Sequence, residues 1–174
     1  MTWRISEHLS FWADLLVNPG DLQRFYAIPP PLVAVTVRSV HLNHYGPMLT
    51  LRIDLPEFPQ GPLPEWREAG FDRFQCQIQF LAVEHLEMRG WQPPAITDIQ
   101  IERCGGHRIR LTAWSPSLNL SFEAADALVI GHMSAFRKSE DGADSGPRGF
   151  VGKLDSLRFH QLPDLDEKTF YERM

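Results

Sequence analysis

The chain has 174 residues, 43% of them hydrophobic and 22% charged, and a formal net charge of −5. That length suits one domain able to fold without a disulfide or structural metal, and the acidic balance argues against a nucleic-acid partner, which needs a basic surface. No apolar run is long enough to span a membrane and the start, MTWRISEHLSFW, lacks the pattern of a signal peptide, so the expectation is a protein kept in the cytoplasm, with Cys76 and Cys104 as free thiols.

Residues 6–17 place Leu9, Trp12, Leu15 and Leu16 at three- and four-residue spacing, which predicts a short helix with Ser6 as its N-cap. Asn18-Pro19-Gly20 stops it, and Asp21 then caps a second turn or two that Pro29-Pro30-Pro31 ends. Phe11, Trp12, Phe25 and Tyr26 read as packing residues against a sheet. Residues 32–44 alternate as a strand with Val33, Val35 and Val37 on one face, then slip in phase at Ser39 to Val40 and Leu42, which predicts a bulge or bend. His44-Tyr45-Gly46-Pro47 turns the chain into a partner strand in which Leu49, Leu51, Ile53 and Leu55 alternate with Thr50, Arg52 and Asp54.

A loop with Pro56, Pro59, Pro62 and Pro64, then Trp66, follows. Its prolines remove backbone donors, so the expectation is an ordered loop that is neither helix nor central strand. The next strand, 72–82, buries Phe74, Cys76, Ile78 and Phe80 and turns Gln75, Gln77 and Gln79 to the other face. A further strand has Leu86 and Met88 facing in. Ile99 and Ile101 pair in a hairpin with Ile109, Leu111 and Ala113 across the Cys104-Gly105-Gly106-His107 turn. Leu118, Leu120 and Phe122 follow, and Ala127–Ile130 leads toward Phe136 as a strand nearer the middle of a sheet. Short strands every eight to twelve residues predict a mainly β (α+β) domain, an antiparallel β-sandwich or open barrel of about seven to nine strands with two short N-terminal helices. The domain spans 1–137; 138–149, with no apolar side chain larger than alanine, reads as a flexible linker or long surface loop. Residues 150–174 form a tail with an added edge strand at Phe150-Val151 and Leu157–Phe159 and a last helical turn.

Catalytic equipment is not visible. His41 and His44, three apart on a strand, leave from opposite faces, and His85, His107, His132 and His160 are scattered, so no metal site is assigned. In GPRGFVGKL five residues separate Gly146 from Gly152 and Leu154 follows Lys153, where a phosphate-cradling loop needs four and a hydroxyl residue. Glu84 and Glu87 diverge on their strand, and Asp54 beside Arg52 reads as a solvated surface pair. No catalytic residue and no cofactor is assigned. The glutamine stripe Gln75, Gln77, Gln79 reads first as a solvent-facing or partly covered strand. Its functional reading is a face that binds another protein, with Trp66, Arg67 and Trp91 as anchors and Asp54 and Glu57 nearby. The proline loop would hold Trp66 rigid there, although Trp66 tucked back over the sheet is the better expectation.

The segments FWADLLVNPGDLQRFY, PPPLVAVTVRSVHLNHYGPMLTLRIDLPEFP, PLPEWREAGFDRFQCQIQFLAVEHLEMRGW and ALVIGHMSAF occur in this order over about residues 10–137. In that order the chain resembles the immunity protein 50 family of bacterial polymorphic toxin systems. The resemblance implies a non-catalytic, cytoplasmic protein that binds and neutralises a cognate toxin, and it transfers no catalytic motif. An acidic surface would suit a basic toxin. The alternative reading is a small-molecule-binding or enzymatic β-sandwich or half-barrel domain. Monomer and homodimer both stay open.

Overall fold

A computed structural model describes residues 11–43, 45–144 and 146–151 of the chain. Ser6, Leu9, His44 and His160, the Lys153-Leu154 end of the glycine-rich stretch, the 157–159 strand and the last helical turn lie outside the described residues. Among the described residues three short helices, α1 (Phe11–Asp14), α2 (Gly20–Gln23) and α3 (Pro64–Glu68), accompany nine strands. These are β1 (Val35–Asn43), β2 (Met48–Asp54), β3 (Arg73–Phe80), β4 (Glu84–Trp91), β5 (Ala95–Gly105), β6 (Arg108–Ser115), β7 (Leu118–Ala125), β8 (Leu128–Phe136) and β9 (Arg148–Phe150). Every strand pair is antiparallel, and the order is β4-β7-β6-β5-β1-β2-β3-β8-β9 in one open sheet. The mainly β antiparallel fold is as the alternation predicts.

The sheet cannot be flat. Five strands lie between β4 and β3 in the order, so a flat sheet would hold them about 29 Å apart at the usual strand spacing. Residues 81–83 are all that join them, and a link of that length reaches at most about 14 Å. The sheet therefore curls until its β4-β7 end approaches β3. Phe80 on β3 meets Phe122 on β7 edge to face, with ring centroids 5.0 Å apart, and the Ala125 N–H donates to the Leu81 carbonyl at 2.9 Å. β5 carries the bend: Ala95–Thr97 pair with β1, and Asp98–Gly105 pair with β6.

Local chemistry sets the hairpins. Gly106 and His107 form the two-residue loop between β5 and β6, both at positive φ, the geometry that matches the strand twist. On β1 the register shifts between Val37 and Ser39, so the predicted slip is a bulge and Arg38 is its extra residue. One continuous core runs through the curl, from Trp12 and Leu22 on the helices to Leu51, Ile78, Leu111, Phe122 and Ile130 on the strands. The Trp12 indole N–H donates to the Pro30 carbonyl at 2.9 Å, and Phe25 and Tyr26 are buried as expected.

Several expectations are corrected. The proline loop contains α3, because Pro64 sits at the helix start, where a missing N–H costs nothing. α2 has Pro19 at its N-cap without a side-chain cap, and Asp21 lies in its first turn. Leu86 and Met88 are exposed, not inward, because β4 is an edge strand with register breaks at both ends. β8 is second from an edge, yet buried nearly throughout, because the chain beyond it folds back over the sheet. That same return bonds residues 138–144 to the sheet as a strap, within the stretch read as a flexible linker or long surface loop, and a short strand forms at Arg148–Phe150.

Candidate functional site

β1, β2, β3 and β8 turn one face to the core and the other toward the strap. Alternation puts Arg52 and Asp54 of β2, Gln75 and Gln77 of β3, and Ser134 and Phe136 of β8 on the second face, and the β1 bulge adds Arg38. β9, paired beside β8, then supplies Arg148, its side chain almost fully buried.

Asp54 is 3% exposed. Its Oδ2 accepts from Arg38 Nε at 2.9 Å and Nη2 at 2.6 Å, and its Oδ1 accepts from Gln75 Nε2 at 2.8 Å. The strap's Asp144 forms a second centre. Its Oδ2 accepts from Arg52 Nη1 and Gln75 Nε2, both at 2.9 Å, and from Arg148 Nη2 at 3.4 Å. Arg148 Nη1 donates to Gln75 Oε1 at 3.0 Å and to Ser134 Oγ at 2.8 Å. Arg38 Nη1 donates to the Gly142 carbonyl. The Arg38 and Arg148 guanidiniums lie over the Phe136 ring at 5.6 and 4.9 Å, a cation–π arrangement that favours arginine.

The electrostatics follow from burial. Burial lowers the pKa of Arg52 and brings that of Arg148 down to about 10, with Asp144 opposing both shifts. For Asp144, burial would raise the carboxyl, but the Gln75 amide and then Arg52, Arg38 and Arg148 outweigh it and hold it below the ordinary range. Three guanidiniums thus face two carboxylates under the strap.

The residues singled out from sequence fall into separate places. Gln75 and Asp54 come together in this network, Gln77 is buried beside it with its Nε2 unbonded, and Gln79 is half-buried farther along β3. Asp54 is not solvated and pairs with Arg38, not with Arg52. Trp66, 1% exposed, stacks on Phe25 at 5.1 Å and meets Phe74 and Phe58, so it packs inside. Gly149 of β9 passes so close to this indole that a Cβ there would collide with it. Arg67 and Glu57 are exposed, and Trp91 is half-buried against the core. Sequence reasoning missed Arg38, Arg52, Asp144 and Arg148 as one group. The signal available was an arginine at the phase slip, since a charge inside a β-branched run needs a buried partner.

Two other features lie on the β4-β7-β6-β5 end. Glu84, His85 and Glu123 bring ligand atoms within 4.8 Å of one another, but Arg108 and Arg110 already hold the two carboxylates. Trp114 stands 71% exposed on the outer face, between Asp98 and Asn119 of the neighbouring strands. Among the described residues no helix is long and apolar enough to cross a membrane.

No curated protein and no solved structure matches the chain. The model of one family, immunity protein 50, matches residues 18–133. That range takes in β1 to β7, most of β8 and the whole strap-facing surface of β1, β2 and β3. The chain belongs to the immunity protein 50 family.

Proposed function

We propose that this protein neutralises a cognate bacterial toxin by binding it in the cytoplasm, without catalysis. Family membership over residues 18–133 carries the reading. A curled sheet with one continuous core supports it, because a preorganised surface loses little freedom on binding. Arg67 and Glu57, exposed on the proline loop, and Trp91 at the edge strand are the contact residues we assign. Trp66, Asp54 and Gln75 lie beneath the surface and hold that framework. A net charge of −5 favours a basic toxin, whose approach the opposite field would speed.

Growth rescue tests the reading. Each neighbouring reading frame of the source genome is expressed in a sensitive host with and without this protein. One neighbour should be toxic alone, tolerated in its presence and recovered bound to it. A toxic neighbour that is neither tolerated nor bound, or no toxic neighbour at all, overturns the proposal. Once a pair is found, reversing charge at the exposed Glu57 and Glu65 should slow association and flatten its salt dependence. Asp54 is unsuited to that purpose because it is buried on Arg38.

A further inference from the structure

The tip of the strap makes the contacts of a bound peptide. Residues 137–141 and 146–147 are exposed, and residues 142–144 are half-buried where they reach the sheet. Arg38 donates to the Gly142 carbonyl, Arg52 and Gln75 donate to the Asp144 carboxylate, and Arg148 Nη2 donates to the Asp144 carbonyl at 2.6 Å and to its carboxylate at 3.4 Å. Within the tip, the Gly142 N–H donates to the Ser139 carbonyl at 2.9 Å and the Ala143 N–H to the Asp141 carboxylate at 3.0 Å, so the turn keeps its shape by itself. β9 is also held by contacts that do not involve the tip, its pairing with β8 and the bonds from Arg148 to Ser134 and Gln75. Lifting the tip therefore breaks its bonds to Arg38, Arg52, Gln75 and Arg148 and leaves the backbone pairing of β9 with β8 in place.

The sheet offers more than the tip uses. Gln77 lies two residues from Gln75 on β3, opposite Arg52, and is 5% exposed. Its Nε2 is buried without a hydrogen-bond acceptor, a costly state for an amide donor. The excess of one guanidinium over the carboxylates also leaves room for further negative charge.

We propose that Arg38, Arg52, Gln75 and Gln77 form a binding site for an acidic peptide segment, with residues 142–144 of the same chain as its resident occupant. The ligand is a segment whose backbone carbonyl is followed two residues later by a side-chain carboxylate, as Gly142 and Asp144 present them. All four receptor residues lie within the family match at 18–133, and the occupant lies beyond it. Internal occupancy lowers the apparent affinity for an outside segment to the fraction of time that the site is open. This site stands apart from toxin neutralisation, and its test involves no toxin.

The test uses full-length Asp144→Ala protein and two probes, sodium acetate and a capped, fluorophore-labelled pentapeptide with the sequence of residues 140–144. Acetate should raise the melting temperature of the variant saturably above that in chloride at equal ionic strength. The pentapeptide should bind the variant at least about tenfold more tightly than the unsubstituted chain, whose site is self-occupied. Adding Arg52→Ala should abolish both effects. Circular dichroism reports whether each variant folds, and Asp144→Asn, which keeps the shape and removes the charge, replaces an unfolded Asp144→Ala. Equal melting in acetate and chloride with no gain in peptide binding overturns the proposal, as does a gain that survives Arg52→Ala.

Discussion

Asp54 receives three donors on its two oxygens, so its charge is stabilised by groups with little access to water. Breaking such a pair leaves the partner charged and buried, which costs about 3–5 kcal/mol. Asp54→Asn should lower the unfolding free energy by about that amount in urea denaturation, and Arg38→Met with Asp54→Leu should recover much of the loss, since a buried pair exchanged for apolar groups is often neutral. A loss below about 1 kcal/mol for Asp54→Asn would mean the pair behaves as a solvated one. The alternation of β2 does say which face Asp54 takes. It does not say what lies over that face, because the strap arrives from residues some ninety positions later, and no period in the sequence records that.

The strap shows how one element couples to pH. The folded-state pKa of Asp144 lies below its ordinary value, so its contribution to docking is present above the ordinary carboxylate range and is lost as pH falls through the lowered value. Arg148, at about 10, stays protonated through neutral pH and adds no dependence in that window. The side-chain carboxyl carbon resonance of Asp144 should therefore be unchanged between about pH 6 and 8 and titrate in acid, with a midpoint below that of Asp144 in the free pentapeptide. A midpoint equal to the free peptide's would mean that Arg52 and Gln75 do not hold the carboxylate. The composition of 138–149, without large apolar side chains, reads as a flexible linker or long surface loop; what composition does not record is that its tip is held by charge-assisted hydrogen bonds, which demand specific partners and not hydrophobic ones. The proline loop misled differently, since Pro64 both ends extended structure and starts α3.

At the scale of the molecule, what was legible is what is local. The β1–β2 and β5–β6 hairpins and the β6–β7 turn follow from alternation and turn residues, and the order of segments carried the family. The placement of β4 on β7 and of β8 on β3 joins strands whose pairing is not adjacent in sequence, so the curl itself was out of reach. The curl has a kinetic consequence. β1-β2-β3 and β5-β6-β7 are each a meander of sequence neighbours, able to form with short loop closures. The seam between them is three residue pairs, Val35–Thr97, Thr36–Ile96 and Val37–Ala95, and it matures only when both meanders exist. Val35 is fully buried and, on β1, pairs only across this seam. Val35→Ala should thus speed unfolding in stopped-flow chevrons and leave the folding rate nearly unchanged, whereas slower folding would place the seam in the nucleus. The last contact to mature would then be the first to part: the chain would open as two pages separating along β5.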